Sequence, residues 1–199
     1  MKALLFSVGA AILVLLAGLP IAYLNWPAPA PLAAAINDGA QIGGTFELQD
    51  LKGRSVTQET FNGRWTLVFF GFTHCPDICP TTLSHIASVM DGLGDQAAQL
   101  QPLFITLDPQ RDTPELLAEY TAFFDPRILA LSGSAEQTRQ VAEAYGVYFK
   151  QVAAGDTYTL DHSTGLYLMG PDGEFKRRFA EPLSAGAMVK DIAGLLDAD

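Results

Sequence analysis

At 199 residues, 49% of them hydrophobic, the chain is long enough for one domain with a sizeable core plus an appendage, and it needs no disulfide scaffold to fold. A formal net charge of -10, with only 12 Lys and Arg, excludes nucleic acid as a partner, because phosphate binding draws on clustered cations. Two cysteines are too few for a disulfide-dense secreted fold, yet they lie four positions apart, which points to a local chemical role.

The first predicted element is a membrane anchor over residues 1–25. Ala3 to Leu24 contains no charged residue, and a helix over that stretch at about 1.5 Å per residue spans about 33 Å, close to the hydrocarbon thickness of a bilayer. Lys2 precedes the span and the next basic residue is Lys52, so the positive-inside bias keeps the N-terminus in the cytoplasm and exports the rest. A cleaved signal peptide is the competing reading, with Ala28, Ala30, Ala33 and Ala35 as small residues for a peptidase; the apolar run is longer than the usual signal core. No Arg-rich, Ser-rich transit segment precedes the span, which favours a bacterial inner membrane, with the globular part in the periplasm, over a mitochondrial membrane. Residues 26–41 then read as a Pro/Ala-rich linker, since Pro27, Pro29 and Pro31 forbid a continued helix and favour extended backbone. Tyr23 and Trp26 sit where aromatic residues anchor at a membrane interface.

Residues 42–199 are expected to form the folded domain. Phe46 to Val56 reads as a hairpin around Asp50-Leu51-Lys52-Gly53, and Trp65 to Phe70 as a strand buried on both faces. A helix from about Cys79 to Met90, a strand at Leu103 to Leu107, a helix at Pro114 to Phe124, a strand at Ile128 to Leu131 and a helix at Ala135 to Tyr145 follow. Val147 to Val152, Leu166 to Met169 and Glu174 to Phe179 read as strands, the last two joined by Pro171-Asp172-Gly173, and Ala185 to Leu196 as a closing helix. This order predicts an α/β fold of thioredoxin-like type, a three-layer sandwich around a mixed sheet. In such sheets sites gather at the carboxyl ends of strands, where Gly71 to Pro80 lies.

Cys75 and Cys79, four apart at a strand-to-helix junction, have Cα atoms about 6 Å apart in a helical turn, which suits a disulfide or a shared metal. The N–H groups of a helix start favour thiolate, and two thiolates are soft donors for Cu(I) or Zn(II) that leave the coordination incomplete. Three histidines are available to complete it. His74 adjoins Cys75, so its side chain is expected to point away from the sulfurs. His85 falls six residues after Cys79, about 240° round a helix. His162, in the polar segment Thr159 to Gly165 before a strand, is the best of the three, although on the residues alone the favoured reading is an ordinary surface-loop histidine.

The run Gly71-Phe72-Thr73-His74-Cys75-Pro76-Asp77-Ile78-Cys79-Pro80-Thr81-Thr82-Leu83, the later Leu107-Asp108-Pro109-Gln110-Arg111-Asp112-Thr113-Pro114 and Asp161-His162-Ser163 together resemble the Sco/SenC family of copper-binding assembly factors. The resemblance runs from about Ile42 to Leu196, together with the anchor. It implies a thioredoxin-like fold with an inserted hairpin, copper as Cu(I) or Cu(II) held by Cys75, Cys79 and His162, and a role in building the binuclear copper centre of cytochrome c oxidase. The implied partners are the copper-binding subunit of that oxidase and a periplasmic copper donor.

Around these residues, Asp77 reads as a turn cap and Asp161 either as support for His162 or as loop solvation. Asp108 to Pro114 reads as a site-shaping or partner-facing segment, or as an ordinary helix start with Asp112 or Thr113 at its cap. Pro76 and Pro80 stiffen the presentation of the thiols, and Met90, Met169 and Met188 read as core. The alternative function is a membrane-anchored thiol–disulfide oxidoreductase using Cys75 and Cys79 as a catalytic redox pair; a dithiol reductase has no need of His162 and usually spaces its cysteines by two residues. A peroxide-reducing enzyme is weaker for want of a further resolving cysteine, and a purely structural disulfide is the remaining reading.

Overall fold

The computed structural model describes residues 42–182 and 184–198. The anchor expected at Ala3 to Leu24 and the linker over residues 26–41 lie outside that range. Among the described residues no helix is long and apolar enough to cross a membrane.

The centre of the fold is β3 (Trp65–Gly71), buried at every position, as its unbroken apolar and aromatic run predicts. It pairs in parallel with β4 (Leu100–Thr106) and antiparallel with β8 (Leu166–Met169). With β1 (Glu47–Asp50), β2 (Ser55–Thr57), β5 (Leu129–Ser132) and β9 (Phe175–Phe179) these make a mixed seven-stranded sheet in the order β2-β1-β5-β4-β3-β8-β9. Strand β4 begins three residues before the expected Leu103, because Leu100 to Pro102 pair with Trp65 to Leu67. Pro102 is tolerated there because β5 joins β4 only from Leu103 onward, leaving one side of Pro102 without a strand partner.

Alternation along β3 sends the adjacent Phe69 and Phe70 to opposite faces. Phe69 meets Phe104 at 5.8 Å between ring centres, while Phe70 meets Tyr145 at 5.2 Å and Tyr167 at 6.1 Å. Both faces of the sheet are therefore covered, and each such ring contributes about 1.5–3 kcal/mol of burial. The helices are α1 (Ile78–Gly92), α2 (Pro114–Phe124), α3 (Ala135–Ala144) and α4 (Ala185–Leu196). Helix α1 packs against α4 and α2, and α3 packs against β1. Met90, Met169 and Met188 are buried in the core, as expected.

Capping follows the sequence except at α1. Thr113 accepts the Leu116 N–H at 3.3 Å with Pro114 at the first helical position, and Ser134 with Gln137 forms a capping box on α3. Asp77 stands at the cap of α1, but its side chain is exposed and makes no capping bond; its carbonyl instead accepts the Thr81 hydroxyl at 2.9 Å. The turn-cap reading of Asp77 is corrected to this backbone role.

The largest departure from the sequence reading lies after α3. A strand was expected over Val147 to Val152 and a polar segment over Thr159 to Gly165. The expected strand is met two residues on as β6 (Phe149–Ala154), whereas the polar segment is strand β7 (Thr157–His162), and the two form a separate hairpin, as the resemblance implied, turning at Gly155 with φ +63°. It stands outside the main sheet, with β6 largely exposed and β7 turning only Tyr158, Leu160 and His162 inward, so the period-two hydrophobic signal of a strand is weak.

Candidate metal centre

Strands β3 and β4 end together at Gly71 and Thr106, and the chain leaves β3 through Phe72 to His74 before entering α1. Cys75 lies in that connection and is half-buried, whereas Cys79 lies in the first turn of α1 and is fully buried. The Cys75 sulfur accepts the Cys79 N–H at 3.5 Å. Gly71 makes room for this packing: a Cβ there would sit 2.9 Å from Cys79 Sγ and 2.9 Å from Phe104 Cε2.

His162 is the last residue of β7, and its Nε2 lies 3.9 Å from Cys79 Sγ. Its Nδ1 lies 2.8 Å from the Ser163 carbonyl oxygen, which can only accept, so the proton sits on Nδ1 and the Nε2 lone pair faces the sulfurs. Phe72 meets the imidazole edge-on at 5.8 Å. Gly165, at φ +125°, turns the chain from the hairpin into β8 at a point where a Cβ would meet the Phe179 carbonyl at 2.8 Å.

Donor atoms of Cys75, Cys79 and His162 all fall within 4.8 Å of one another, and among the described residues this is the group able to hold a metal ion. The 3.9 Å between Cys79 Sγ and His162 Nε2 lies within the about 4.3 Å that metal–sulfur bonds of about 2.3 Å and metal–nitrogen bonds of about 2.0 Å allow. Neither sulfur is bonded to the other. The two thiols are unlike: the hydrogen bond from Cys79, aided by the Asp77 and Cys79 N–H groups, holds Cys75 well below its usual pKa despite burial. That same bond to Cys75, together with burial, pushes Cys79 well above the usual range. Of the two, the half-buried Cys75 is the one favoured to lose its proton first.

The other candidates are elsewhere. His74 is about half exposed, with Nδ1 3.0 Å from the Thr73 hydroxyl and 3.7 Å from Asp112, and His85 lies along α1 outside the donor group. Asp161 is exposed, and the group that orients His162 is the Ser163 carbonyl, so the loop-solvation reading of Asp161 holds. Asp112 is not a helix cap. Buried at 1% exposure, its carboxylate accepts the Thr73 N–H at 3.2 Å, the Thr73 hydroxyl at 2.6 Å and the Thr106 hydroxyl at 2.5 Å, tying the connection that carries Cys75 to the end of β4. Gly71 and Asp112 lie in the two segments the sequence had marked, Gly71 to Pro80 and Asp108 to Pro114, and the site-shaping reading of the second falls on Asp112.

The SCO1/SenC family matches this chain over residues 34–197, most of its length. The chain belongs to the SCO1/SenC family. A bovine relative, the mitochondrial Protein SCO2 homolog, is 43% identical over 162 residues, covering 79% of this chain and 61% of its own. The chain thus spans less than two thirds of that relative. A SCO2-like protein of Rickettsia felis is 37% identical over 170 residues, covering 82% of this chain and 83% of its own. Among solved structures, copper-bound ScoI of Arabidopsis thaliana superimposes with a TM-score of 0.75 at 34% identity, covering 79% of this chain and 99% of its own. The α/β fold with a mixed sheet is that of the thioredoxin-like Sco structures.

Proposed function

We propose that this SCO1/SenC protein is a copper chaperone that binds one copper ion on Cys75, Cys79 and His162 and helps assemble the binuclear copper centre of cytochrome c oxidase. The observation that carries this reading is the convergence of two sulfurs and an Nε2 lone pair within 4.8 Å, from segments more than eighty residues apart in sequence. Two soft sulfurs with one imidazole suit Cu(I), and the imidazole adds a donor that Cu(II) accepts. The copper bound to the Arabidopsis relative supports the same assignment. Half-buried Cys75 leaves a side from which a partner, the copper-binding subunit of the oxidase, can take the ion, and a periplasmic donor can load it. We place the domain in the periplasm, on a single-pass anchor at Ala3 to Leu24 in a bacterial inner membrane.

The unlike thiols also favour reduction of target cysteines before metal transfer: Cys75 attacks a target disulfide, and Cys79 releases the mixed disulfide as the internal Cys75–Cys79 bond forms. This second activity uses the same side chains and is compatible with the first.

His162→Ala tests the assignment. Cu(I) should still bind between two sulfurs, whereas Cu(II) should lose its thiolate charge-transfer band and oxidise the pair, two Cu(II) ions each taking one electron as the disulfide forms. Cys75→Ser and Cys79→Ser should lose both copper states and the disulfide. Retention of the parent Cu(II) band and affinity in His162→Ala would remove His162 from the ligand set.

A further inference from the structure

The turn at residues 108–112 closes on itself, with the Asp112 N–H donating to the Asp108 carbonyl at 2.9 Å, and its side chains reach in two directions. Asp112 holds the connection before Cys75, as described above. Asp108 and Arg111 reach the β6–β7 hairpin. Arg111 Nε donates to Asp108 Oδ2 at 2.5 Å, Arg111 Nη1 donates to the Tyr158 carbonyl at 2.8 Å, and the guanidinium carbon lies 3.7 Å from the centre of the Tyr158 ring. The Tyr158 hydroxyl closes the circuit by donating to Asp108 Oδ1 at 2.8 Å. Arg111 Nη2 is buried without a hydrogen-bond partner, so the guanidinium is fixed by Nε, Nη1 and the ring beneath it. Asp108 is 2% exposed, which makes these charge-assisted bonds stronger than surface ones.

The clamp supplies hydrogen bonds to a hairpin that is otherwise seated by Leu160, buried in the core, with Phe149 and Tyr158 packed against it. Strands β6 and β7 pair with each other and with no strand of the main sheet. Among the described residues, and apart from His162 itself, the hydrogen bonds tying the hairpin to the sheet-bearing body run to Asp108 and Arg111. Tyr158 and His162 share one face of β7, and the four-residue interval is a lever of about 13 Å. A hold at Tyr158 therefore fixes the tilt of the hairpin about the base where His162 meets the sulfurs.

We propose that Asp108, Arg111 and Tyr158 are positioning residues that present the His162 imidazole to the thiol pair. The segment from Asp108 to Asp112 thus brackets the site, holding the thiol-bearing connection with one side chain and the imidazole-bearing hairpin with two. This proposal rests on His162 being a ligand, as proposed above.

The test uses the full chain in detergent and a double-mutant cycle of Arg111→Ala with His162→Ala, reading Cu(II) affinity and the nitrogen hyperfine signal of bound Cu(II). Arg111→Ala should weaken Cu(II) binding about 10–100-fold, the usual effect of removing a group that orients a ligand. It should leave Cu(I) binding and disulfide formation unchanged, and Arg111→Lys should recover only part of the loss. In the His162→Ala background, where Cu(II) oxidises the thiol pair, Arg111→Ala should change neither the rate of that oxidation nor Cu(I) affinity. Tyr158→Phe, which removes one hydroxyl and keeps the ring, should weaken Cu(II) binding less, and it runs the same cycle if Arg111→Ala does not fold. A metal-free reading accompanies these: amide exchange in apo Arg111→Ala should accelerate across β6 and β7 and not across β3 and β4. If His162→Ala alone leaves Cu(II) binding intact, the ligand assignment fails and the clamp with it. If His162→Ala is impaired but the clamp variants bind Cu(II) like the parent, or change the oxidation rate or Cu(I) affinity in the His162→Ala background, or leave hairpin exchange unchanged, the clamp proposal alone is overturned.

Discussion

At the scale of single residues, the site is shaped by what is left out as much as by what is present. Gly71 sits where β3 ends beneath the thiol pair, and a methyl there would lie 2.9 Å from both Cys79 Sγ and Phe104 Cε2, two fully buried neighbours with little room to retreat. Gly71→Ala is therefore expected to cost about 1–3 kcal/mol of stability, the usual cost of overpacking. It should also displace the Cys79 sulfur from its 3.9 Å separation from His162 Nε2 and lower copper affinity. Urea unfolding of the apo protein and chelator competition measure the two effects; a stability change below about 0.5 kcal/mol with parent affinity would show that the methyl is absorbed. The histidine illustrates the opposite case, a choice made by one acceptor: the Ser163 carbonyl holds the proton on Nδ1 and leaves Nε2 as the donor.

At the scale of elements, the turns between secondary structures hold the layers in register. Asp125 ends α2 with its N–H on the Thr121 carbonyl and turns the chain towards β5. Its carboxylate accepts the Arg127 N–H at 2.8 Å and Arg127 Nη2 at 2.5 Å, and the same Nη2 donates to Asp91 at 2.7 Å near the end of α1. The Arg127 side chain holds the Asp125 carboxyl below its usual 3.8. A depressed folded-state pKa stabilises fully above the unfolded value and loses its effect as pH falls through the folded one, so this contribution is complete above about pH 4 and fades under acid. Asp125→Asn should lower stability at pH 7 by about 1–3 kcal/mol, and the gap to the parent should close as pH falls below about 4. Urea midpoints across pH measure this; a gap that persists unchanged at pH 2 would place the effect in packing. Strand β7 is the element least visible in the sequence, because only Leu160 on it is fully buried and its other positions show little apolar alternation; Gly155 and the β-forming Thr157, Tyr158 and Thr159 were its local marks.

At the scale of the whole molecule, the site sits on the edge of a core that is built of apolar side chains. Phe69, Phe70, Phe72 and Phe104 are buried without help from a metal, so the soluble domain from about Ile36 should fold in the apo state. Far-UV circular dichroism of that fragment checks this, and an unstructured spectrum would contradict it. Removal of Ala3 to Leu24 should leave copper binding intact and abolish membrane association, which fractionation reads directly. The sequence by itself determined the apolar run of β3, the Pro and Ser starts of α2 and α4, the β8–β9 turn and the cysteine spacing, because each is a local pattern whose physics acts within a few residues. Only the tertiary structure decided that His162 and not His74 or His85 faces the sulfurs, that Asp112 braces Thr73 instead of capping a helix, and that Asp108, Arg111 and Tyr158 join across the fold. Those relations link positions tens of residues apart, and their distances exist only once β3, β4 and the hairpin have been brought to one edge of the sheet.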